Sequence, residues 1–198
     1  MLRTGRWSGS DGTSIVLLLL CMLFACRPLA AQEMEVPMQV QVPILLKVIS
    51  FDRHLRIRAP RDVVIGVVMQ GGNRASLVAS EEAVRILSAP GTNVDGIPVR
   101  VISFDLDRQS VGDVLNNATL THLYVTPLRA VNIRHLAEHA RAANVTTMTG
   151  VAEHLDRGLS IGVGLRAGRP KILVNVSASR AEGADLSAEL LKLAELVP

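Results

Sequence analysis

Over residues 63–69 the chain reads Val-Val-Ile-Gly-Val-Val-Met, apolar at every position rather than at alternate ones. A strand of that kind buries both faces, as the inner strands of a parallel sheet do. Shorter runs over residues 98–104, 122–126 and 145–149 repeat the signal, and each is followed by a stretch with helical spacing. The helices expected there are residues 74 or 80 to 87, stopped by Pro90-Gly91; residues 110–117; one carrying Ile133, Leu136, Ala137 and Ala140 on a single face; and a short turn over 151–157. Ahead of them, Val40, Ile44, Val48 and Phe51 predict a helix over residues 42–53 with Pro43 in its first turn. The alternation Val36, Met38, Val40, Val42 also permits a short strand at that point.

Behind the repeats, residues 159–166 and 171–176 are joined through Ala167-Gly168-Arg169, a link short enough to join only antiparallel strands. A helix start at Ser177 or Ser187 and an apolar stripe Leu186, Leu190, Leu193, Val197 predict a closing helix to residue 197. Strand and helix alternating in this way give an α/β domain of three layers. Its sheet is mixed but mostly parallel, flanked by helices, and ends in an antiparallel hairpin and a C-terminal helix.

The first residues stand outside this pattern. Arg3 and Arg6 precede an uninterrupted apolar run from Ile15 to Ala25, and Leu29-Ala30-Ala31 offers small residues for cleavage. That is the layout of a secretory signal peptide over residues 1–31, leaving one domain over 32–198. The run has 11 residues, against the roughly 20 a membrane-spanning helix needs. A second reading takes Leu23-Phe24-Ala25-Cys26 as a lipobox, with Cys26 lipidated as the new N-terminus, although Phe24 fits that pattern poorly. Export removes both cysteines, Cys21 and Cys26, under ordinary cleavage, so aliphatic burial and not a disulfide must hold the fold. It also removes Arg3, Arg6, Arg27 and Asp11 from the chain's 21 basic and 18 acidic residues, leaving 18 and 17. Near-neutral charge and three aromatics, Phe51, Phe104 and Tyr124, speak against a nucleic-acid partner.

Candidate chemistry is sparse. His135-Leu136-Ala137-Glu138-His139 matches the H-x-x-E-H zinc-peptidase pattern. The apolar stripe on the same helix turns both histidines toward solvent, however, and no further acid-rich helix follows, so it reads as a solvated face. Arg53, His54, Arg56, Arg58 and Arg61 read as a solvated helix end. Gly162-Val163-Gly164 lies in a strand and lacks the third glycine of a dinucleotide fingerprint. Asp105 and Asp107 flank Leu106, point apart on a regular strand and read as loop carboxylates. Asn117, Asn144 and Asn175 open sequons that read as incidental. No Ser or Cys sits in a nucleophile elbow. The expectation is therefore no catalytic residue, no metal and no cofactor. The loops beyond the strand ends are better placed for a ligand or partner: Gln70, Gly71, Gly72 and Asn73, then Thr126 and Pro127, then Thr149. The first of these reads as a plain tight turn, with an anion held by free backbone N–H groups as the alternative.

From about Val36 to Val197 the chain resembles the YfiR/HmsC family. The features that carry the resemblance are Gly162-Val163-Gly164-Leu165, the run Gly168-Arg169-Pro170-Lys171-Ile172-Leu173-Val174-Asn175-Val176, then Ala181-Glu182-Gly183-Ala184-Asp185-Leu186 and Leu190-Leu191-Lys192-Leu193-Ala194. Tyr124-Val125-Thr126-Pro127 and the helix end Phe51-Asp52-Arg53 add weaker support. The resemblance implies a periplasmic, non-enzymatic regulator with a mixed α/β fold that often pairs as a homodimer. It implies an inner-membrane sensor as partner, a diguanylate cyclase or histidine kinase, with the cyclase restrained through its periplasmic domain and cyclic di-GMP and biofilm as the output. The membrane is then reached only through that partner, or through a lipid on Cys26. The chain departs from the family in lacking, after the leader, the cysteines that make some members redox-responsive, and a Trp-containing segment after the first helix. From a different class, a small periplasmic solute-binding protein would use the same loops.

Overall fold

The computed structural model describes residues 34–116 and 119–198; the leader, Cys26 and Asn117 lie outside them. Helix α1 (Met38–Ile49) begins four residues before the expected point, so no strand forms at Val36–Val42. Pro43 sits inside the helix rather than in its first turn, and its missing N–H falls opposite Gln39, an exposed residue. The helix also stops short of Arg53. A turn then leads into the single-turn α2 (Leu55–Arg58).

Strand β1 (Val63–Met69) is buried on both faces as its sequence requires. Its lone glycine has a packing reason: a Cβ on Gly66 would lie 2.9 Å from Leu123 Cδ1. Helix α3 (Arg74–Leu87) follows, N-capped by Asn73, whose side chain accepts from the Ala75 N–H at 3.2 Å. A hairpin not foreseen from the pattern comes next, β2 (Asn93–Val94) to β3 (Ile97–Asp105), turning through Asp95 and Gly96 with positive φ at both. Helix α4 (Val111–Leu115) carries a capping box between Ser110 and Asp113. Then come β4 (His122–Val125), α5 (Ile133–Ala143), β5 (Thr146–Thr149) and a 3₁₀ turn at Ala152–His154.

The closing hairpin is β6 (Ile161–Arg166) and β7 (Arg169–Asn175), joined by Ala167 and Gly168, both at positive φ. Of the two candidate helix starts, Ser177 falls inside α6 (Val176–Ala181), which is capped by Asn175, while Ser187 is used, as the cap of α7 (Ala188–Leu193). The expected helix to residue 197 is cut short. Residues Glu195–Val197 form β8, parallel to β7, with Leu173 opposite Glu195 and Asn175 opposite Val197. Of the predicted stripe only Leu186 and Leu190 are buried; Leu193 is 61% exposed. The apolar residues at the C-terminus serve a sheet edge and not a helix face.

All eight strands join one sheet in the order β2-β3-β1-β4-β5-β6-β7-β8. From β3 to β6 the neighbours are parallel, in the arrangement of a doubly wound sheet. The three layers follow from where its side chains go. Val63, Ile65 and Val67 meet α1 and α3 on one face, with Leu186 and Leu190 in the same cluster. Val64 and Val68 meet α4 and α5 on the other, through Val114, Leu136, Ala137 and Ala140.

Candidate functional site

In this sheet the chain leaves β1 toward β3 on one side and returns past β1 to β4 on the other. The carboxyl ends of β1 and β4 are therefore where the crossovers diverge, the place at which open α/β sheets make a crevice. A cleft of about 750 Å³ lies there. Its walls include Met34, Gln70, Gly72, Asn73, Arg74, Val78, Glu82, Asp107 and Arg129.

The first candidate loop builds the floor of this cleft, although not as the sequence pattern implied. The Gly71 N–H donates to Asp105 Oδ1 at 3.0 Å, and the Gly72 N–H donates to Asp107 Oδ2 at 2.8 Å. The two carboxylates expected to point apart thus converge on one turn, because Asp107 leaves the strand after Asp105 and folds back. The loop is thus the tight turn, and the amides that the alternative anion site would need are already taken. Asp105 is held below the usual carboxylate range by the Gly71 N–H first, then by the Asp107 N–H.

Gln70 is buried, and its Oε1 accepts from the Arg129 N–H at 2.7 Å, tying the loop after β1 to the loop after β4. Asn73 adds a second tie by donating from Nδ2 to the Pro127 carbonyl at 3.0 Å. Thr126 is buried, donating to the Val68 carbonyl at 2.8 Å and sharing a hydrogen bond with Ser76. Gln70, Gly72 and Asn73 therefore line the cleft, while Gly71, Thr126 and Pro127 brace it from behind. Thr149 stands apart from its walls. It is fully buried, donates to the Val125 carbonyl at 2.9 Å and accepts from the Val151 N–H at 3.1 Å.

The other motifs fall into place on the scaffold. His135 is exposed and His139 half-buried, their rings 4.2 Å apart, with His139 Nδ1 near the His135 carbonyl. Among the described residues no group of three His, Cys, Asp or Glu could hold a metal ion. Asn144 is the left-handed C-cap of α5 and Asn175 the N-cap of α6, so two of the three sequons serve as helix caps.

Sequence reasoning missed the polar network at the opposite, amino ends of the strands. Arg58 is not part of a solvated cluster, unlike Arg53, Arg56 and Arg61. Its side chain is 13% exposed and pairs with buried Asp52 at 3.0 Å. Arg58 also donates to the carbonyls of Thr121, Asn144 and Glu182. Glu182 itself is fully buried. Its carboxylate accepts from the Thr147 N–H and Thr147 hydroxyl, each at 2.8 Å, and from the Ser160 hydroxyl. No ion pair reaches its carboxylate among the described residues. Burial pushes its pKa up to about 7, against the pull of those donors and the more distant charge of Arg141. His122 and His154, also buried, are held neutral, pushed down by burial to about 3 and about 4. The Arg-rich pattern around residue 58 and the lone Glu182 after α6 carry no periodic signal that separates them from surface charges.

A family model described as YfiR/HmsC-like matches residues 40–195. No curated protein matches the sequence. Among solved structures, the ABC domain in complex with L-Trp from Streptococcus pneumonia aligns with a TM-score of 0.58 at 12% identity, over 82% of this chain and 62% of that one. A conserved domain protein from Vibrio cholerae gives 0.55 at 14%, over 81% and 60%. The ligand-free, open form of a substrate-binding protein with adhesive properties from Clostridium difficile gives 0.51 at 16%, over 73% and 57%. The chain thus spans about three fifths of the length of these structures. At such identities the likeness is one of fold.

Proposed function

Because the chain belongs to the YfiR/HmsC-like family, we propose that it is a periplasmic regulator. In this reading it is exported by the leader over residues 1–31 and acts without catalysis, by contact with an inner-membrane signalling protein. Diguanylate cyclases are the partner class the family points to, and restraint of cyclic di-GMP synthesis is the proposed output. Among the described residues no helix is long and apolar enough to cross a membrane, so a membrane partner would supply that part of the assembly.

The observation that carries this reading is the outer edge of the sheet. Strand β8 has a neighbour on one side only, and Leu193 just ahead of it and Leu196 within it are 61% and 56% exposed. An open edge flanked by large apolar side chains is a surface that a partner strand or apolar patch can cover. The test is a deletion strain complemented with wild type or with Leu193→Asp plus Leu196→Asp. Both proteins are expected to melt at the same temperature, and only wild type is expected to recover a membrane signalling protein in a pull-down and to return cyclic di-GMP to its starting level. Unchanged cyclic di-GMP in the deletion strain, with no membrane protein recovered, would sink the proposal.

A second reading is favoured by the cleft itself. Its position at the divergence of the crossovers, and a fold shared with a substrate-binding protein, suit a small solute held against Arg74, Arg129 and the apolar wall of Met34 and Val78. A solute-binding protein would show a ligand-dependent rise in melting temperature across a metabolite panel. A flat panel would count against it.

A further inference from the structure

The cleft beyond β1 and β4 holds a donor that the fold does not use. Gln70 is 7% exposed, and its Oε1 accepts from the Arg129 N–H at 2.7 Å and the Ala130 N–H at 3.4 Å. Two backbone donors on one oxygen fix which end of the amide is which. The Nε2 end is turned away from them. It has no acceptor among the described residues, and it stays open to solvent where Gln70 lines the cleft. A buried amide clamped from behind, with its donor unused, calls for an oxygen from a ligand.

The walls narrow the kind of ligand. Arg74, Val78 and Glu82 recur every four residues along α3 and all line the cleft, so that wall carries in order a cation, an apolar side chain and an anion. At 1.5 Å of rise per residue the first and last stand about 12 Å apart along the helix. Arg129 comes from the loop that Gln70 holds, and so joins the cationic end. Asp107 stands there too, its Oδ2 taken by the Gly72 N–H. Two guanidinium groups against that one carboxylate leave the end positive, while Glu82 makes the other end negative. None of these four groups takes part in the ion pairs formed among the described residues, so the two signs stay apart instead of cancelling. Val78 between them is 44% exposed, which leaves apolar surface to cover. We propose, on the reading of the cleft as a solute site, that it takes a zwitterion whose carboxylate and ammonium stand at the two ends of a short apolar chain. The carboxylate accepts from Gln70 Nε2 and from the guanidinium groups of Arg74 and Arg129. The chain lies on Val78, and the ammonium donates to Glu82. An amino acid with both charges on one carbon is too short to reach both ends. An ω-amino acid and a dipeptide share the chemistry that fits.

The experiment titrates the purified protein in a calorimeter with δ-aminovalerate, dialanine, alanine, valerate and pentylamine. At least one of the first two is expected to saturate with a Kd of about 1 mM or tighter, at least about tenfold tighter than the last three, which lack the separation or one of the charges. Gln70→Glu keeps an oxygen for the Arg129 and Ala130 N–H groups but sets carboxylate against carboxylate, and is expected to weaken binding at least about tenfold. Glu82→Gln, at a half-buried position, is expected to melt with wild type and to bind δ-aminovalerate no better than valerate, which guards against a folding artefact at residue 70. Saturation by δ-aminovalerate alone would assign a free ω-amino acid, and by dialanine alone a peptide; either upholds the class. Alanine or valerate binding as tightly would overturn the class and leave a solute site standing, as would equal binding by both variants and wild type. Five titrations without binding would also overturn it, and a flat metabolite panel beside them would end the solute-site reading as well.

Discussion

Replacing Glu182 by glutamine tests the reading of the buried carboxyl directly, because the change is nearly isosteric and removes only the ability to ionise. Glu182 has three hydrogen-bond donors around it but no cation in contact, so burial dominates and its folded pKa is about 7 against an ordinary value of 4.5. At about 1.36 kcal/mol for each pKa unit, the folded state holds this proton more tightly than the unfolded one by about 3 kcal/mol. The sign follows from proton counting. Below pH 4.5 both states are protonated and the site costs nothing; between 4.5 and 7 the unfolded chain releases its proton while the folded chain keeps it, so stability falls as pH rises; above 7 the loss is complete. In Glu182→Gln the new side-chain amide would accept from the Thr147 N–H and Ser160 hydroxyl through its oxygen and donate to Thr147 Oγ1, with no slope of its own. Buried His122 and His154 bind protons less readily than in the unfolded chain, so they add stability that is lost as pH falls below about 6.5. That contribution is common to both proteins and cancels in the comparison. Urea midpoints at pH 5 and pH 8 should therefore show the variant gaining on wild type by about 2–3 kcal/mol across the interval. Parallel pH profiles for the two proteins would refute the assignment of an unpaired, proton-binding Glu182.

Two further substitutions probe the same scaffold. Arg58→Ala strands Asp52, which is buried and would keep only the His54 and Asp185 N–H groups, and a loss of about 3–5 kcal/mol is expected in urea denaturation; a change under about 1 kcal/mol would mean that water reaches Asp52 freely. Gly150→Ala places a Cβ against the amide of Gln41, which is fully buried and accepts from the Tyr124 hydroxyl at 3.0 Å. Overpacking there should cost about 1–3 kcal/mol, seen as a lower melting temperature that Gln41→Ala in the same chain partly restores.

How much of this could be read from the chain depends on whether a residue's role is local. Val63–Met69 announces a doubly buried strand by itself, and the spacing of Ile133, Leu136, Ala137 and Ala140 announces the buried face of α5; both were legible. The family resemblance was legible for the same reason, since it rests on runs of residues in order. The C-terminus was not. Leu190, Leu193 and Val197 have helical spacing, but α7 is six residues long, too short to stand on propensity. The free edge of β7 offered the last residues a ladder of backbone hydrogen bonds instead. The convergence of Asp105 and Asp107 was hidden because their partners, Gly71 and Gly72, lie 34 and 35 residues away in sequence. Which charges are buried is likewise a tertiary fact: Arg53 and Arg58 look alike in the chain, and only the second ends buried, at the amino ends of the strands.

That last distinction changes what the C-terminal forty residues are for. The Arg53 N–H donates to the Asp185 carbonyl, the Asp185 N–H to Asp52, and the Ser187 N–H to the Phe51 carbonyl, so the segment between α6 and α7 is stitched to the turn after α1. Glu182 makes the second fastening. It takes the Thr147 N–H at the start of β5 and the Ser160 hydroxyl just ahead of β6, where β5 and β6 share only two paired positions. The β6–β7 hairpin, whose outer neighbour is the edge strand β8, is therefore fastened to the parallel sheet by buried charged or titratable side chains as well as by the apolar core that Ile161, Val163 and Val174 join. A buried carboxyl without a counter-ion in contact is a weak clamp when ionised and a better one when protonated. If the β8 edge is the contact surface, the seam behind it is softer above pH 7 than below, and amide exchange should record this. Protection at Thr147 and Ser160 is expected to fall relative to β1 as pH rises through 7, once the base catalysis of exchange itself has been divided out. In Glu182→Gln the same ratio should stay level.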